Sequence, residues 1–159
     1  MRTRTLRSLV YFVGGLGLII SLFATAEFFD ASLRRICSVS SFLSCSAVDN
    51  SGLTSTLGIP DYAWGVGGFA VILLVAGLAE RAPQSITRAG VLLAVTTAGI
   101  ILSAYLLYVE VAEIGALCLV CASAYVMGVI TWLGAIALVR RTPEPPRSEE
   151  AEDYPGADA

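Results

Sequence analysis

Apolar residues along this chain fall into four long runs, separated by polar segments of very unequal length. A transmembrane helix needs about 20 mainly apolar residues. Four windows meet that demand: Leu9–Phe28, Tyr62–Ala79, Ala89–Val109 and Cys118–Val139. The first is apolar apart from Ser21, Thr25 and Glu27, and the other three carry no charge. None alternates with period two, which argues against spanning strands. The pattern predicts an all-α integral membrane protein, a four-transmembrane-helix bundle with spans at about 9–28, 62–79, 89–109 and 118–139.

The connections differ in kind. Phe29–Asp61 is a long, serine-rich loop between helices 1 and 2 (residues 29–61). Glu80–Arg88 is a tight turn containing Pro83, and Glu110–Leu117 is short and acidic. Arg140–Ala159 is rich in proline and glutamate and is expected to be disordered. Residues 1–139 are thus read as one membrane domain and 140–159 as its tail.

Basic residues orient the bundle. Arg2, Arg4, Arg7, Arg81, Arg88, Arg140, Arg141 and Arg147 flank one side, and only Arg34 and Arg35 lie on the other. Cytoplasmic loops carry the excess of basic residues, so both termini are expected in the cytoplasm. The long loop and Glu110–Leu117 then face outward from the plasma or inner membrane. Arg2–Arg7, the apolar run and Ala24-Thr25-Ala26 also have the outline of a cleaved signal peptide. The run is long enough to span, which favours retention, and cleavage would leave the loops on the same side.

Composition sharpens this. Of 159 residues, 56% are hydrophobic and 14% charged, against about 25% charged for a soluble domain. Mean hydropathy is +0.76. The chain has no histidine and no lysine, which removes histidine-based catalytic triads, histidine-ligated metals and Schiff-base chemistry. The net charge is −3 and no basic face exists for nucleic acid. Four cysteines remain as the strong nucleophiles.

The predicted topology gathers all four at the outer face, where disulfides form and persist. Cys118-Leu119-Val120-Cys121 is a CxxC at a helix start. Its spacing puts both sulfurs on one helix face, and the electropositive helix N-terminus favours thiolate. It also borders the bilayer, within reach of a lipid-soluble electron carrier. Cys37 and Cys45 lie in the long loop, which is flexible enough to close a disulfide or to swing one sulfur towards the other pair. Structural stapling of the loop is the alternative. A zinc site is disfavoured, because the Cys37/Cys45 spacing is too wide for two close ligand pairs.

Taken in order, Cys37-(x7)-Cys45, Ser44-Cys45-Ser46 continuing to Val48, Gly58-Ile59-Pro60 and Cys118-Leu119-Val120-Cys121 with Tyr125 resemble the vitamin K epoxide reductase family. The resemblance spans Leu9 to about Val139. Quinone-linked oxidases of the DsbB type carry their CxxC in the first outer loop, the reverse of the order here. The resemblance implies a four-helix bundle around a quinone. Cys118 and Cys121 would be the active pair, with Cys121 beside the quinone. Cys45 would exchange with Cys118, and Cys37 would form the mixed disulfide with a separate secreted or membrane-anchored thioredoxin-like protein. Ser51 matches a serine of the family's loop, and Tyr125 a tyrosine that hydrogen-bonds the quinone. Asp61 stands where animal members have a quinone-binding asparagine. A carboxylate donates a hydrogen bond only when protonated, so a helix-cap role for Asp61 stands beside the quinone-binding one.

Trp64, Phe69, Tyr105, Tyr108 and Tyr125 can line a quinone pocket or anchor helices at the interface. Gly65, Gly67, Gly68, Gly99 and Ser103 are expected to permit close helix approach. The functional expectation is a thiol:quinone oxidoreductase that supports disulfide-bond formation, with no metal. Its quinone can be menaquinone, ubiquinone or a vitamin K-like molecule. The rival from another class is a non-enzymatic tetraspan scaffold with stapled outer loops.

Overall fold

The computed structural model describes residues 3–53, 55–56, 58–80 and 86–142. Four long helices dominate: α1 (Thr3–Phe29), α4 (Asp61–Glu80), α5 (Ile86–Tyr108) and α6 (Leu119–Arg141). All four are long and apolar enough to cross a membrane, which makes this a multi-pass membrane protein. Between α1 and α4 lie two short helices, α2 (Ala31–Cys37) and α3 (Cys45–Asn50), and a minute hairpin of β1 (Ser55–Thr56) with β2 (Ile59–Pro60). Gly58, at φ +76°, takes the left-handed position that the hairpin turn requires.

The long helices form a ring. Helix α1 packs on α4 and α6, and α5 packs on the same two. The tight core sits at the end holding the start of α1 and the end of α6. Leu6, Val10, Ile72, Ala76, Leu92, Ala135 and Leu138 meet there. Small residues let the backbones close up: a Cβ on Gly134 would lie 2.6 Å from Val10 Cγ2, and one on Gly17 would run into the Phe69 ring. The glycines singled out from the sequence behave differently. At Gly67, Gly68 and Gly99 an added Cβ would meet nothing within 4 Å. Of that set, Gly65 makes the close approach, against Ser21 of α1.

Inside a bilayer every polar group needs an internal partner. Hydroxyls in the spans meet that need by donating one turn back: Ser21 to the Gly17 carbonyl at 3.0 Å, Thr96 to Leu92 at 2.9 Å and Thr131 to Met127 at 2.8 Å. Trp132 Nε1 donates to Thr97 Oγ1 at 3.0 Å and ties α6 to α5.

Three expectations change. The long loop is folded rather than flexible, because side chains cap its short helices. Asp30 accepts from the Ser32 N–H at 2.8 Å, and Ser44 accepts from the Ala47 N–H at 3.2 Å. Next, Glu110–Leu117 is mostly not a loop: α5 continues as a π-helix, Val109–Ile114, which ends where Gly115 turns left-handed at φ +71°. Finally, α6 runs through Arg140 and Arg141, where basic side chains suit the negative end of the helix dipole. The remaining tail, Pro83 and its turn, and Arg2, Arg81 and Arg147 lie outside the described residues.

Candidate thiol redox site

The outer loop is laced to the segment before α6. Leu43 and Leu117 form a parallel bridge. The Leu117 N–H donates to the Phe42 carbonyl at 2.7 Å, and the Ser44 N–H donates to the Leu117 carbonyl at 3.1 Å. This short ladder sets the residues that follow, Cys45 and Cys118, side by side. Their sulfurs lie 3.2 Å apart. Cys45 is bonded to Cys37, with their Cα atoms 5.7 Å apart, while Cys118 and Cys121 are free thiols. Around the disulfide, Ser46 Oγ lies 3.0 Å from both Ser38 Oγ and Ser44 Oγ. Cys37, Cys45, Val48, Ala116 and Cys118 make a second buried cluster, separate from the bundle core.

Cys118 is the N-cap of α6, and its Sγ accepts from the Cys121 N–H at 3.3 Å. Negative charge that develops on this sulfur during exchange therefore meets a backbone donor. Cys121, one turn on, packs against that second cluster and also lines a cavity of about 260 Å³ inside the ring. Asp61, Trp64 and Tyr125 line the same cavity, as do Tyr62 and Phe69. So do Gly65, Gly68, Gly99, Ser103 and Gly128. Because side chains are missing at Gly68 and Gly99, the helices leave an apolar slot there rather than a contact. A flat ring with two polar ends fits a space of this kind, which offers apolar faces with Cys121, Tyr125 and Asp61 along it.

The structure thus brings Asp61, Trp64, Cys121 and Tyr125 to one cavity and Cys37, Cys45 and Cys118 to one sulfur cluster. Ser51 belongs to neither. Its Oγ donates to the Val48 carbonyl at 2.7 Å and accepts from the Leu53 N–H at 3.2 Å, closing α3. Asp61 is the first residue of α4 and lines the cavity, and its Oδ1 accepts from the adjacent Tyr62 N–H at 2.7 Å. Tyr105 and Tyr108 are exposed on the outside of the ring.

One residue was not singled out from the sequence. Glu110, on the π-helix, is only 1% exposed. Its Oε2 accepts from the Cys118 N–H at 3.0 Å and its Oε1 from the Tyr125 hydroxyl at 2.8 Å. Oxygens of Glu110 and Asp61 and the Cys121 sulfur lie within 4.8 Å of one another. A weak signal existed: the apolar run of span 3 continues past Glu110 to Val111 and Ala112, which is unusual for a carboxylate in open loop.

No curated protein gives a significant match to the chain. The family model described as the vitamin K epoxide reductase family matches residues 8–136, most of the chain. The chain belongs to that family, and is a membrane thiol oxidoreductase.

Proposed function

From membership of the vitamin K epoxide reductase family as premise, we propose that this protein is a thiol:quinone oxidoreductase. It carries electrons from a thioredoxin-like protein through Cys37/Cys45 and Cys118/Cys121 to a membrane quinone, and so supports disulfide formation. The 3.2 Å approach of Cys118 Sγ to Cys45 Sγ, with Cys121 on the cavity behind, carries this reading.

Each exchange step is a thiolate displacing one sulfur of a disulfide. A thiolate of the reduced partner attacks Cys37 and frees Cys45. The partner's second thiol then releases Cys37 and leaves as the oxidised protein. Cys45 attacks Cys118 in the oxidised CxxC, and Cys121 leaves as thiolate at the cavity wall. Cys37 next attacks Cys45, restoring the loop disulfide and freeing Cys118. The net change is oxidation of the partner's dithiol and reduction of Cys118–Cys121. Asp61, Trp64 and Tyr125 would hold a quinone beside Cys121, and it would take up the two electrons and two protons released as the Cys118–Cys121 disulfide closes again. The cysteines face the non-cytoplasmic side, where such partners work.

The test is direct. Purified protein, a reduced thioredoxin-like protein and a soluble quinone should give quinol, and Cys121→Ala should abolish it. Equal rates for wild type and Cys121→Ala would overturn the proposal.

A further inference from the structure

The exchange relay leaves Glu110 unused, although this carboxylate bonds to both halves of the site. One oxygen holds the backbone N–H of Cys118 and the other holds the hydroxyl of Tyr125. The charged groups that act on it are Asp61 and Asp49, both acidic. It does not line the cavity itself, but Tyr125, to which it is bonded, does.

We propose that Glu110 holds and passes the protons released when the Cys118–Cys121 disulfide closes, with Tyr125 as its outlet to the cavity. The proposal rests on the reading above that this pair reduces a quinone. Closing the disulfide breaks two S–H bonds, forms one S–S bond and releases two electrons and two protons. Conversion of a quinone to a quinol takes up the same number of each. The Cys121 sulfur is within 4.8 Å of the Glu110 carboxylate, close enough to hand over its proton with a small side-chain movement. With Glu110 protonated, the Tyr125 hydroxyl turns from Oε1 towards the cavity, gives its proton there and takes one from Glu110 Oε1. Glu110 serves the two thiols in turn and ends as it began. Throughout, the Cys118 N–H on Oε2 fixes the carboxylate to the helix start that bears both sulfurs. Glu110 acts through Tyr125, as a positioning and proton-holding residue.

Glu110→Gln keeps the size of the side chain and an acceptor for the Cys118 N–H, but carries no exchangeable acid proton. Quinone-reduction kcat should fall about 100-fold, in the range of a lost acid–base group, with KM for quinone unchanged. Glu110→Asp should recover part of the loss. A readout without quinone accompanies this. The infrared difference spectrum between the dithiol and disulfide states should contain a carboxylate stretching band, displaced because the thiol beside Glu110 has lost its proton, that disappears in Glu110→Gln and shifts in Tyr125→Phe. Retention of wild-type kcat and of the band in Glu110→Gln overturns the proposal. Should Glu110→Gln fail to fold, the band in wild type against Tyr125→Phe decides, and an unshifted band counts against it. A wild-type protein that reduces no quinone would sink the functional reading instead, so the two failures are distinct.

Discussion

Cys118 and Cys45 stand 73 residues apart in the chain and 3.2 Å apart at their sulfurs. Thiol–disulfide exchange needs that proximity, and the Leu43–Leu117 bridge creates it. In Cys37→Ala, Cys45 loses its partner and its nearest sulfur is Cys118. The oxidised variant should accumulate a Cys45–Cys118 disulfide with Cys121 free, read by mass spectrometry of proteolytic fragments. A Cys45–Cys121 bond, or Cys45 left as free thiol, would contradict the geometry.

The glycines divide into two classes with opposite expected outcomes. Gly134→Ala places a methyl 2.6 Å from Val10 in the tight core, and overpacking of this kind costs about 1–3 kcal/mol. Its melting temperature in detergent should drop. Gly68→Leu and Gly99→Leu point a side chain into the cavity, where a Cβ meets nothing within 4 Å. They should leave the melting temperature near wild type and raise KM for quinone. If both classes lost stability alike, the cavity would not be open space in the folded protein.

Asp30 links acidity to the outer loop. Hydrogen bonds from the Ser32 hydroxyl, then from the Ser32 and Leu33 N–H groups, hold its carboxyl below the ordinary 3.8. A depressed folded value means that the stabilisation is present above 3.8 and is lost as pH falls through the lower folded value. Because α2 runs from this cap to Cys37, reduction of the Cys37–Cys45 disulfide by a phosphine should quicken below that pH. Asp30→Asn should show a flat profile. Identical profiles for the two proteins would refute the link.

Much of the architecture was legible because lipid imposes a simple grammar. The four spans and the helix-start position of Cys118 follow from apolar run length. What escaped was local. Helices α2 and α3 are too short to show a period, and they exist because Asp30 and Ser44 cap them. Gly68 and Gly99 looked like packing residues, since a glycine on a span reads the same whether it faces a neighbouring backbone or a void. Glu110 read as loop because a carboxylate near a span end ordinarily meets water. Only the π-helix, which keeps Val109 and Glu110 buried while Tyr108 and Val111 stay exposed, turns it inward.

The sulfur that caps α6 is also the one that trades partners. In the thiol form Cys118 Sγ accepts from the Cys121 N–H. When that sulfur is drawn into a bond with Cys45, it must leave or weaken its hold on the helix's first turn. The electrical state of the protein is therefore written into the fraying of one helix end. Amide exchange at Cys121 would keep a running record of it.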